Sequence, residues 1–89
     1  MPEITLTIRN KVGLHARPAA LFVQEANKYK AEISVRNGDV VANAKSILNV
    51  LTLGADEGST IIVSADGVDA GQALAALQAL AEAGFGEAE

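Results

Sequence analysis

The 89-residue sequence has no cysteine and no tryptophan, one histidine, one tyrosine, two phenylalanines and two prolines. Without cysteine there is neither a disulfide framework nor a thiolate metal site. A single histidine also rules out a site built from paired imidazoles, so no metal and no cofactor is expected. The missing disulfides are compatible with a reducing compartment, and a cytoplasmic location is the expectation. No apolar run reaches the roughly 18 residues of a membrane span, so no direct membrane insertion is expected. The segment MPEITLTIRN places an acid before its first base and alternates, unlike a secretory signal. Bases are absent from the second half. All seven Lys and Arg fall within residues 1–45, against four acids, whereas 46–89 carries seven acids and no base. The net charge of −4 makes a nucleic-acid partner unexpected, because duplex binding rests on many phosphate neutralisations. A local positive region around residues 9–17 remains, suited to an anionic group or an acidic partner.

What the sequence does contain is enough for one small domain, 1–89, with 49% apolar residues to fill a core. Residues 3–9 alternate, with Ile4, Leu6 and Ile8 on one face of a half-buried strand. A polar, glycine-bearing loop leads to residues 16–29, where Ala19, Phe22, Val23 and Ala26 form one stripe of an amphipathic helix. Residues 31–36 alternate again. Asn37-Gly38 is a hairpin dipeptide, because both residues tolerate positive φ, and Val40–Asn43 closes the hairpin. Ser46 opens a short apolar helix ending at Gly54. Residues 60–65 form the last strand. Asp69, with Gln72 three residues on, starts a helix over 70–83 that places Leu74, Leu77 and Ala81 on one face with Leu80 beside them. Gly84 stops it, and residues 85–89 are expected to be a frayed tail. The order is β-α-β-β-α-β-α. Strands with one apolar face call for a sheet that carries its helices on that face and shows water the other.

The one histidine lies in the stretch VGLHARPAA, residues 12–20. His15 falls just before the first helix. Pro18 belongs to its first turn, where a missing N–H costs nothing and a fixed φ helps initiation. The free amides near Ala16 and Arg17, with the positive end of the helix dipole, make an anion site. Gly13 permits the tight bend before it. Arg17 adds a guanidinium fork for phosphate oxygens. Positive surroundings disfavour the imidazolium, so a neutral, nucleophilic ring is expected at pH 7. A phosphorylated ring would place its dianion where the amides and Arg17 receive it. The bland alternative is a surface histidine beside an ordinary helix start, but Gly-x-His-x-Arg-Pro in that position favours a carrier of phosphoryl groups. A hydrolase triad lacks room in so short a chain.

GLHARPAA (13–20) together with AKSILNVLTLGA (44–55) resembles HPr, the histidine-containing phosphocarrier family of the bacterial phosphoenolpyruvate-dependent sugar phosphotransferase system, over essentially the whole chain. The resemblance implies an α+β fold, an open-faced β-sandwich with a four-stranded antiparallel sheet of order 1-4-2-3 and three helices on one face. It implies phosphorylation of His15 on Nδ1, the pros nitrogen, by enzyme I, which draws on phosphoenolpyruvate, and donation to enzyme IIA domains of sugar permeases. Arg17 would assist transfer and hold the phosphate. Ser46 matches the family's regulatory serine, the target of an ATP-dependent HPr serine kinase/phosphorylase in some bacteria, with transcription regulators as further partners. A monomeric phosphocarrier rather than a turnover enzyme is the expectation. A regulatory protein of the same fold acting through Ser46, a nitrogen-linked relay branch, and a plain interaction domain without covalent chemistry are the alternatives. The chain departs from many family members at Leu48 and Asn49, where they carry Met and Gly.

From the residues alone, Ser46 reads as the N-cap of the short helix. A phosphate there would put negative charge beside a surface meant for acidic partners. The helix Ile47–Leu53 is apolar nearly all round, so part of it should be exposed. Ala20, Ile47, Leu48 and Leu51 are the candidate docking residues.

Overall fold

The structure is a computed structural model and describes residues 2–9 and 16–86. The elements are β1 (Glu3–Thr7), α1 (Ala16–Ala26), β2 (Glu32–Asn37), β3 (Val40–Asn43), α2 (Ile47–Leu51), β4 (Thr60–Asp66) and α3 (Ala70–Glu82), followed by a short 3₁₀ turn, Gly84–Gly86. One sheet of order β1-β4-β2-β3 joins all four strands, and every neighbouring pair is antiparallel. This is the expected open-faced α+β sandwich.

Alternation sets the two faces. Leu6 pairs with Ile61, Ile4 and Val35 both pair with Val63, and Ile33 pairs with Ala65, which lines one face with apolar side chains. Thr7 opposite Thr60, Ser34 opposite Ser64 and Arg36 opposite Ile62 line the other. The helices cover the apolar face through Ala19, Phe22 and Ala26 of α1, Val50 of α2, and Ala73, Leu74, Leu77 and Ala81 of α3, all buried. The alanines let helix backbones approach the sheet closely, leaving Phe22 and the aliphatic strand residues to fill the volume. Ile8 completes the β1 stripe: its N–H donates to Ser59 and its carbonyl accepts from Gly58, both at 2.8 Å.

Four sequence expectations need correction. α1 ends at Ala26 rather than Tyr29. The Lys28 and Tyr29 amides donate three residues back, to Glu25 and Ala26, and the Asn27 side chain takes the Val23 carbonyl at 2.9 Å, so the last turn tightens instead of continuing. α2 ends at Leu51, and Thr52 caps it. Asp69 occupies the N-cap position of α3 but makes no side-chain cap bond. Its carboxylate instead accepts from the backbone amides of Lys30 and Ala31, both at 2.8 Å. An anion facing two convergent amides of another segment gains more than from a single amide of its own helix. Finally, the segment 85–89 does not begin as a frayed tail. Phe85 is fully buried, its ring 6.1 Å from that of Phe22 at a tilt of 55°. Gly84 (φ 70) and Phe85 (φ 54) turn the chain back onto the core. Burying a phenylalanine side chain contributes about 1.5–3 kcal/mol, enough to hold a non-glycine residue in the left-handed region. Residues 87–89 lie outside the described residues.

Candidate functional site

α1 begins at Ala16, the residue directly after His15 in the chain. Ala16 and Arg17 are exposed, while Pro18 and Ala19 are buried and anchor the first turn against the core. Helix geometry leaves the amides of that first turn without acceptors inside the helix, and the eleven residues of α1 add the positive end of a dipole. The expectations for Gly13 and His15 fall outside the described residues. Those for Ala16 and Arg17 fall on an exposed helix start.

α2 packs beside α1 and presents the apolar surface anticipated above. Leu48 is 73% exposed, Leu51 40% and Ile47 38%, whereas Val50 on the opposite side is fully buried. Ala20 is half-buried. A five-residue helix with one buried side cannot hide four aliphatic side chains at once. A concavity of about 400 Å³ lies elsewhere, along β2 and β3 between Glu32, Ser34, Val41 and Lys45.

Ser46 is the N-cap of α2 in extended conformation, as its sequence position called for. Its Oγ accepts from the Asn49 amide at 3.4 Å and from Asn49 Nδ2 at 3.1 Å. Asn27 and Lys45 lash this region to α1, and sequence reasoning passed over both. Asn27 Nδ2 donates to the Lys45 carbonyl at 3.2 Å, and Lys45 Nζ donates to the Tyr29 carbonyl at 2.6 Å. No sequence signal pairs residues 16 or 18 apart in this way. The same contacts place Ser46 beside the C-terminal end of α1, whereas Ala16 and Arg17 lie at its other end, about 15 Å away at 1.5 Å per residue. Over 15 Å of water, two unit charges interact by roughly 0.3 kcal/mol before salt screening. A charge at Ser46 would thus act only weakly on the helix start of α1.

A four-stranded antiparallel sheet with three helices on one face, an exposed helix start directly after the histidine in the chain, and exposed aliphatic side chains on the neighbouring short helix define a small open-faced α+β sandwich. The family model described as "PTS HPr component phosphorylation site" matches residues 2–83. The chain belongs to the HPr phosphocarrier family of the phosphotransferase system. It is 44% identical over 82 residues to the HPr-like protein Crh of Halalkalibacterium halodurans, covering 92% of this chain and 98% of that protein. It is 40% identical to the phosphocarrier protein HPr of Mycoplasma pneumoniae, covering 92% and 94% of the two chains. Among solved structures, HPr-C-His from Thermoanaerobacter tengcongensis superposes with a TM-score of 0.95 at 47% identity, with all of both chains covered. No helix among the described residues is long and apolar enough to cross a membrane.

Proposed function

We propose that this chain relays phosphoryl groups through His15, taking them from phosphorylated enzyme I and passing them to enzyme IIA domains in sugar uptake. The supporting observation is that α1 starts at Ala16, so the histidine directly precedes in sequence the first-turn amides of an eleven-residue helix, which have no acceptor within the helix. In the transfer, the Nδ1 lone pair of the neutral imidazole attacks phosphorus. The donor's bond to phosphorus breaks, and its electron pair returns to the donor. Arg17, exposed on the first turn, pairs with the phosphate oxygens. The Ile47, Leu48 and Leu51 patch, with Ala20, docks the partner proteins. Incubation with enzyme I and labelled phosphoenolpyruvate should add one acid-labile phosphate to the wild type and none to His15→Ala, whose fold is retained. Label on the variant would refute the assignment. Arg17→Ala should slow transfer more than it weakens docking, and an unchanged transfer rate removes Arg17 from the site.

A regulatory role through Ser46 is the second reading, favoured by the similarity to the HPr-like protein Crh and by the placement of Ser46 beside the docking patch. Phosphate there repels acidic partners without unfolding α2. Ser46→Asp should weaken enzyme I binding, and the loss should shrink as salt rises. A loss insensitive to salt contradicts repulsion.

A further inference from the structure

We infer that Asn49 holds the Ser46 hydroxyl in check and so sets how fast that serine is modified. The inference rests on the reading of Ser46 as a phosphorylation site, and its own content is the hydrogen bonding around the oxygen. Asn49 is the third residue of α2, the position from which a side chain in a capping box reaches back to accept from the cap residue's backbone N–H. Here that N–H already donates to the Asn43 carbonyl at 3.1 Å. The Asn49 carboxamide turns its donor end inward instead, and Nδ2 donates to Ser46 Oγ at 3.1 Å. The Asn49 backbone amide approaches the same oxygen at 3.4 Å, a longer bond than an N-cap usually makes. Both lone pairs of the hydroxyl are thus engaged, and the carboxamide is the nearer donor.

Phosphorylation needs one of those lone pairs. Oγ attacks the γ-phosphorus of ATP, the bond from phosphorus to the β–γ bridging oxygen breaks, and ADP leaves with that electron pair. The hydroxyl proton passes to a base of the kinase. Before attack, Asn49 must release Oγ. Asn49 is exposed and only its own bond to Ser46 is lost, so release requires no change in the core. Removing a hydrogen bond of this kind should change a rate roughly two- to tenfold. Residue 49 is thus a positioning residue that tunes the serine.

The test is steady-state phosphorylation of the full chain by an HPr serine kinase with γ-labelled ATP. Asn49→Ala removes the carboxamide and favours the helix. Its kcat should rise roughly two- to tenfold with KM little changed. An unchanged or lower kcat overturns the inference, and an effect confined to KM assigns Asn49 to kinase recognition instead. A second readout needs no kinase. In Ser46→Ala the Asn49 side-chain amide resonances should shift, and resonances that stay in place show that the bond is not formed. Failure of both wild type and Asn49→Ala to label at Ser46, with another HPr labelled by the same kinase, takes down the Ser46 reading itself and this inference with it.

Discussion

Two corners of the molecule join segments distant in sequence, and they are built in opposite ways. At one, the β4–α3 turn meets the connection between α1 and β2. Asp69 grips the Lys30 and Ala31 amides at 2.8 Å each, and Gly67 passes so close that a Cβ would lie 2.7 Å from the Ala31 Cα. At the other, α2 lies beside α1 with Leu48, Leu51 and Ile47 open to water and the Ser46 hydroxyl held by bonds of 3.1 and 3.4 Å. The first corner is charge-assisted and sterically exclusive. The second trades close contact for accessible surface. Under the proposed role this division would let docking and release at α2 proceed without disturbing the clamp.

The comparison can be broken from either side. Phe85→Ala, on the buried side, should cost about 3–5 kcal/mol in urea unfolding. A cost under about 1 kcal/mol, the range of ordinary surface changes, would return the C-terminal turn to the status of a tail. Gly67→Ala should cost about 1–3 kcal/mol, since φ is 151 and Ala31 blocks the new Cβ. Wild-type stability in that variant would show that the two segments part readily.

Asp69 sharpens the contrast by pH. The Lys30 amide, seconded by that of Ala31, holds its carboxyl below the ordinary value of 3.8 although partial burial opposes this. A carboxyl with a depressed folded pKa stabilises above its unfolded pKa, and that contribution disappears as pH falls through the folded value. Wild type should therefore lose stability on acidification below about pH 4, the unfolded range of an aspartate, and Asp69→Asn should lack that portion of the slope. Identical acid-unfolding slopes would detach the clamp from the charge. On the open side, Leu48→Ser should shift stability by no more than about 0.5 kcal/mol. The same change should lower enzyme I affinity, measured by calorimetry. Undiminished affinity would move the docking surface off α2.

Much of this was legible beforehand wherever the signal was local. Period-two alternation marked Leu6, Ile33 and Val35 as the inner face, and Asn37-Gly38 marked the hairpin. The i, i+3, i+4 spacing placed Ala19, Phe22 and Ala26 inward, although Val23 of the same stripe is only half-buried. Excess apolar character around Ile47–Leu51 announced exposed side chains. Asn49 was readable only as a departure from the family, because its bond to Ser46 depends on where the Ser46 backbone N–H goes.

By itself, then, the sequence determined the order and type of the elements, which faces are apolar, the helix start after His15 and the cap at Ser46. Each of these follows from periodicity or from residues within one turn of each other. Only the tertiary structure decided that Asp69 serves residues 38 and 39 positions away instead of its own helix, that Phe85 fills the core beside Phe22, and that Ser46 lies at the far end of α1 from Arg17. Such partners are chosen among all the amides and cavities that the folded chain brings within reach, and spacing along the chain carries no record of that choice.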